Sequence, residues 1–196
     1  MTESSRERII STAMRLFYDH GFHAVGLDRI LDEVGVTKTT FYNHFESKDA
    51  LIIAVLHERD LQETAEWINA LERRHGQAPR PRLLGFFDLL AEWFERPDFK
   101  GCLFLKAAAE FPDPRDPIHI AATRHGASLL KIMRDLAARA GAADPDALAA
   151  QLMMLLQGAI VSGGNGLMGA RAAHLARATA DTLIAGATAT AGAGRG

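Results

Sequence analysis

One cysteine, Cys102, stands in a chain of 196 residues. That excludes an intramolecular disulfide framework and points to a reducing compartment. Prolines number only seven and fall mostly in short clusters, so long stretches are free of the residue that interrupts helices. No alternating run of apolar and polar residues marks a strand. No apolar run approaches the ~18 residues that a membrane crossing needs. The start, Met1-Thr2-Glu3-Ser4-Ser5-Arg6, is polar and acidic, unlike a secretory leader, and the expectation is a soluble, cytoplasmic protein. An excess of positive charge is missing too. The formal net charge is −2, and residues 1–48 set six Lys/Arg (6, 8, 15, 29, 38, 48) against seven Asp/Glu. Nucleic-acid-binding domains are mostly basic. Any phosphate binding here has to come from a few placed groups and helix starts.

What is abundant is alanine among larger apolar residues, with 48% hydrophobic residues overall, enough for a packed helical core. Apolar residues recur at helical spacing, and the expectation is an all-α chain of nine helices. The first runs over 5–20, opened by a Ser4-Ser5-Arg6-Glu7 capping box and closed by Gly21, with Ile9, Ala13, Leu16 and Phe17 on its buried stripe. The second covers 27–34 and breaks at Gly35; the third is short, from Thr37 or Lys38 to Phe45. Ser47 caps a long fourth helix reaching Arg74, followed by a loop over 75–81. Five more are read at 82–96, 102–111, 118–140, 146–163 and 170–187, the fourth of these announced by Asp144-Pro145. The organisation expected is a helix-turn-helix module over 1–48, a larger domain over 49–187 and a flexible tail over 188–196.

The informative stretch is Leu27–Lys48, LDRILDEVGVTKTTFYNHFESK. Two short helices meet at Gly35, with Val36 plugging the corner. Phe41 and Phe45 share a small core with Leu31 and Val34, which leaves Lys38, Thr39, Tyr42, Asn43 and His44 on the outer face. Such a face suits base edges and phosphates in a major groove. Thr37 and Thr40 hydroxyls, with the backbone donors at this helix start, suit phosphate oxygens. Lys38 matches guanine acceptors and Asn43 adenine. Tyr42 and His44 can donate to phosphates, and Lys48 adds a charge where the fourth helix begins. A stable helical corner with a solvated polar face is the reading without function.

This stretch resembles the tetracycline-repressor (TetR) family of bacterial regulators. The matching residues are Phe17, Gly21-Phe22, Ile30, Gly35-Val36-Thr37-Lys38, Phe41-Tyr42-Asn43-His44-Phe45 and Ser47-Lys48-Asp49-Ala50-Leu51. The resemblance is close over about residues 5–55 and implies that 37–48 carry the DNA-reading helix and its exit. Two departures stand out. Val25-Gly26 occupies the place where the family has a capping Thr or Ser, and Asp28 would repel DNA unless it points away.

Past residue 55 the resemblance implies a cavity for a small, hydrophobic effector, for which Trp67, Phe87, Phe94, Phe104, Glu110, Met154 and Gln157 are the candidates. It also implies a homodimer through the last two helices, with Leu152, Leu156, Leu175 and Leu183 as interface candidates. A symmetric dimer calls for a near-palindromic duplex as partner. Other signals carry less. Gly164-Asn165-Gly166-Leu167-Met168-Gly169 matches GxGxxG but follows a helix, not a strand. Ser128-Leu129-Leu130-Lys131 matches SxxK without its partner motifs. No His, Cys and carboxylate set has metal-ligand spacing, no nucleophile or acid/base pair stands out, and Cys102 precedes an apolar run as a buried small residue does. The expected function is a DNA-binding repressor released by a small ligand, with no cofactor, metal or catalytic residue. The rivals are a small helical enzyme or carrier, and a constitutive architectural DNA binder.

Overall fold

The computed structural model describes residues 3–164 and 166–193. Nine helices make up its regular structure, with no strand among the described residues. They are α1 (Ser5–His20), α2 (Leu27–Val34), α3 (Lys38–Tyr42), α4 (Lys48–His75), α5 (Pro79–Phe94), α6 (Leu103–Glu110), α7 (Pro117–Arg139), α8 (Pro145–Gly164) and α9 (Arg171–Ala193).

Local chemistry sets the boundaries. The Ser4 hydroxyl accepts the Glu7 N–H at 3.3 Å while the Glu7 carboxylate accepts the Ser4 N–H at 2.7 Å, a closed capping box. Gly35 ends α2 in the left-handed conformation (φ 74°, ψ 42°) that a side chain disfavours. The Thr37 hydroxyl accepts the Thr40 N–H at 3.2 Å and opens α3; Ser47 does the same for Ala50 at 3.0 Å and opens α4. Asp144 accepts the Ala147 N–H at 2.9 Å ahead of Pro145. Asp116 repeats the device before Pro117, accepting the Ile118 N–H at 2.7 Å.

Three expectations need correction. α3 stops at Tyr42, and 43–45 turn toward α4. The segment Pro79-Arg80-Pro81, expected as loop, is the first turn of α5, because N–H groups there have no intrahelical partner and proline loses nothing. The tail expected from 188 is helical through Ala193, where the Thr188 hydroxyl donates back to the Ile184 carbonyl at 2.8 Å; residues 194–196 lie outside the described residues. Met1, Thr2 and the Asn165 of the glycine-rich motif also lie outside them.

By packing, the chain divides into two compact units, and the division does not fall at residue 48. The first unit joins the N-terminal residues through Glu63 with Cys102–His125; the second joins Thr64–Gly101 with the chain from Gly126 onward. α4 therefore contributes to both.

In the first unit Ile9, Ala13, Phe17, Phe22, Ile30, Phe41 and Leu51 are fully buried, with the Phe17 and Phe22 rings stacked at 4.9 Å. α6 is tied to the end of α1. Lys106 donates to the Tyr18 carbonyl at 2.9 Å, and the Glu110 carboxylate accepts the N–H groups of Phe22 (2.9 and 3.0 Å) and His23 (2.8 Å). Gly21 leaves room for that carboxylate, since a Cβ there would sit 2.8 Å from Glu110 Oε1. A second polar group lies deeper. The buried His125 places Nδ1 2.7 Å from Asp60 Oδ1 and stacks on Phe104 at 3.9 Å; Arg59 donates to the buried Glu63 at 2.8 Å.

The second unit is built on α5, α8 and α9. Leu83, Phe86, Phe87, Leu90, Leu148, Leu152, Leu156, Ala173, Ala180 and Ile184 are buried there. Arg80–Asp181 (2.8 Å) and Arg177–Asp88 (2.5 Å) pin α5 against α9. The Trp67 ring touches both Phe86 and Trp93, and Trp93, Phe94 and Phe99 touch one another, with centroids 4.7 to 6.5 Å apart. α8 is long and apolar enough to pass for a membrane span, which corrects the reading that no such run exists; 44% of that stretch is buried inside the fold.

Candidate nucleic-acid interface

α3 is positioned from below by Phe41 and Phe45, both buried, whose rings lie 5.5 Å apart. Phe41 and Phe45, four positions apart, both turn inward, and the residues between them face outward. Lys38, Thr39, Tyr42, Asn43 and His44 are all exposed, Tyr42 to 58%. Thr37 is exposed and Thr40 half-buried; their hydroxyl oxygens are 3.0 Å apart, so both serve the start of α3 before any phosphate.

Asp28 does not point away from this face. It pairs with Lys38 at 2.9 Å, and that hydrogen bond raises the Lys38 pKa above the usual lysine value. The carboxylate expected to repel DNA instead holds the ammonium expected to read it. Lys48 is likewise engaged, donating to the Phe22 carbonyl at 2.6 Å and lying 5.9 Å over the Phe17 ring. Partial burial pushes its pKa down. One of its three donors is therefore committed to closing the α1–α2 turn.

The other cations of residues 1–48 are also occupied. Arg6 lies over the Phe45 ring at 5.4 Å, Arg8 donates to the Val34 carbonyl at 2.5 Å, Arg15 pairs with Glu33, and Arg29 meets His20 Nε2 at 2.9 Å. Contact with phosphate has to rest on neutral donors, on the donors these cations have to spare, or on cations that leave a partner. The sequence shows these six cations but not their pairing, because every partner lies nine or more residues away in the chain.

A three-helix corner that buries two phenylalanines and turns outward a row of short hydrogen-bonding groups defines a helix-turn-helix DNA-binding protein. Residues 9–55 match the family described as bacterial regulatory proteins, tetR family, and residues 79–180 match the tetracyclin repressor-like C-terminal domain. The chain belongs to the TetR family of bacterial transcriptional regulators. Its fold matches a TetR-family regulator from Streptomyces coelicolor at a TM-score of 0.86 and 32% identity, over 94% of this chain and 96% of that one. The HTH-type transcriptional regulator YjdC of Escherichia coli is 24% identical over 155 residues, 79% of this chain and 81% of YjdC. The HTH-type transcriptional repressor NemR of Escherichia coli is 29% identical over 110 residues, 56% of this chain and 55% of NemR.

The effector candidates separate. Glu110 is spent on the Phe22 and His23 amides, so it is withdrawn as a ligand contact: a carboxylate on a short apolar helix found backbone donors at a turn. Met154 is 66% exposed on α8 and is withdrawn as well. Phe104 lies in the first unit under His125. Trp67, Phe87, Phe94 and Gln157 lie in the second, Phe87 fully buried, Phe94 packed where Gly163 lacks a Cβ, and Gln157 beside Gly126.

Among the interface candidates, Leu152 and Leu156 are buried in the protomer's own core and are corrected to core residues. Leu183 is half-buried, and Leu175 is 46% exposed. α8 is apolar nearly all round, so its leucines alone do not reveal which side faces out.

Proposed function

We propose that the protein is a homodimeric repressor that binds a near-palindromic duplex through α3 and leaves it when a small, hydrophobic effector binds. The observation that carries this reading is the exposed row Lys38, Thr39, Tyr42, Asn43 and His44 above buried Phe41 and Phe45. Repression follows the likeness to NemR, which is named a repressor. Thr37, Thr40, Tyr42 and His44 serve phosphates, Lys38 and Asn43 read bases, and Lys48 steadies the module while offering its remaining donors to phosphate.

The dimer reading is supported by an unpartnered apolar face. Met154 and Val161, two turns apart on α8, are exposed together with Ala147, Ala150 and Gly158. No charged residue occurs between Ala147 and Ala170. Leu175, Ala178 and Thr179 extend this face on α9. Small side chains let two such helices approach closely.

Release is carried by α4 and α6. α4 runs 28 residues, about 40 Å, from the reading module into the second unit. α6 grips the α1–α2 turn through Lys106 and Glu110. A hundredfold loss of DNA affinity needs about 2.7 kcal/mol of differential effector binding between the two states. Trp67, Phe87, Phe94 and Gln157, all in the second unit, are the proposed lining; Phe104, in the first unit, is left out of it. No catalytic step or cofactor enters, and the site of action is the cytoplasm. Selection from random duplexes tests the reading. It should return an inverted repeat with half-sites about one helical turn, ~34 Å, apart or a multiple of it. Recovery of only asymmetric or sequence-independent duplexes refutes it.

A further inference from the structure

Arg82, in the first turns of α5, is only 8% exposed and has no carboxylate partner. Its Nε is buried and unbonded, and so is His75 Nε2 at the end of α4. These are the two orphaned buried side-chain polar atoms among the described residues. Both lie where α4 packs on α5. A Cβ on Gly85 would stand 2.8 Å from His75 Nε2 and 2.6 Å from Leu71 Cδ2, so α4 and α5 meet closely there. Arg82 lies one turn earlier on α5, about 5 Å along the axis and well within the reach of its side chain.

The carboxylates carried by α5 and α9 are already paired. Asp88 holds Arg177 at 2.5 Å, Asp181 holds Arg80 at 2.8 Å, and Glu92 holds Arg74 in a two-pronged pair at 2.5 and 2.8 Å. A buried guanidinium left without a counter-charge is strongly unfavourable, and a planar fork of N–H donors is the shape that binds an oxyanion side-on. We propose that Arg82 and His75 form a binding site for a small oxyanion, either the carboxylate of an organic acid or free phosphate. Arg82 supplies the charge and the fork; His75 Nε2–H supplies a second direction of donation. Phe86, one turn beyond Arg82, is fully buried against the half-buried Trp67 ring at 5.8 Å, so the aromatic surface open to an acid's apolar body on this side is that of Trp67. Within the regulator proposed above, and resting on that reading, a carboxylate as the bound group makes an organic acid the effector class.

The test is thermal unfolding of the full chain in dilute Tris buffer, titrated with benzoate, octanoate or inorganic phosphate, for wild type, Arg82→Met and Arg82→Lys. A saturable rise in wild-type Tm is expected, with the apparent Kd weakened at least about tenfold in Arg82→Met and less in Arg82→Lys, which keeps the charge but not the fork. A stronger response to the organic acids identifies a carboxylate as the bound group, and an equal or stronger response to phosphate identifies the free oxyanion. Without added oxyanion, Arg82→Met should melt at or above wild type, because it removes an uncompensated charge. No saturable response in wild type, an identical response in Arg82→Met, or a much lower melt of Arg82→Met in plain buffer overturns the proposal. The melts contain no DNA, so their failure leaves the DNA-binding reading standing, and failure to select a duplex leaves this site standing.

Discussion

Replacing Asp28 by asparagine should strengthen DNA binding. Asp28 and Lys38 form an exposed pair at 2.9 Å on the proposed reading face, so in the dimer proposed above each protomer presents a neutralised cation to the duplex. Asp28→Asn removes the negative charge and frees the ammonium for a phosphate or a guanine edge, with little effect on the fold because exposed pairs contribute little to it. Each extra phosphate neutralised steepens the fall of log affinity with log salt by about 0.9, or about 1.8 for a symmetric dimer. Over a fourfold change in salt, from about 50 to about 200 mM, a slope change of 1.8 is roughly twelvefold in affinity. The variant's advantage should therefore be greatest at low salt and shrink by about that factor as salt rises. Fluorescence anisotropy with a labelled duplex at several salt concentrations reads it directly, and Lys38→Ala combined with Asp28→Asn should abolish the gain. Parallel salt dependences for wild type and Asp28→Asn, or weaker binding by the variant at every salt, would refute the assignment of Lys38 to the DNA.

Three further outcomes follow from the packing. Glu110→Ala strips the charged acceptor from the Phe22 and His23 amides, and denaturant unfolding should show a loss of about 2–4 kcal/mol, with weaker DNA binding alongside; unchanged stability contradicts the role given to α6. Met154→Arg or Leu175→Arg should give folded monomers by light scattering, whereas Leu152→Arg should unfold the chain, since it places a charge in the core; intact dimers for both exposed-site variants move the interface elsewhere. Burial and the Glu63 carboxylate push the Cys102 thiol up to about 12. At pH 8 its thiolate fraction is then on the order of one in ten thousand, so a disulfide reagent should label it only after unfolding; rapid labelling of the native protein contradicts this.

How much of this was legible in the sequence depends on range. α1 and α2 could be bounded to the residue because Ser4, Glu7, Gly21 and Gly35 act within a turn or two of themselves. Phe41 and Phe45 were legible as a buried pair because their spacing is that of one helical face. The first turn of α5 was misread because proline breaks helices everywhere except where it starts them. Partners distant in the chain left no local trace. Nothing near Glu110 announces an acceptor for residues 22 and 23, and nothing near Asp28 announces Lys38 ten positions on. α8 hid its orientation for another reason: with apolar or small residues on every side, periodicity carries no direction, and Leu152 and Met154 exchanged their expected places.

The central claim is that the outer face of α3 reads base pairs. Its most direct measurement is the affinity of wild type and Asn43→Ala for the selected duplex and for every single-base-pair variant of one half-site. Wild type should bind the selected duplex at least ~10³-fold more tightly than a scrambled one. Asn43→Ala should lose about 1–3 kcal/mol of discrimination at one base pair per half-site and keep the rest of the profile. A profile for Asn43→Ala that merely weakens evenly at all positions, or a wild type that does not distinguish the two duplexes, contradicts the account.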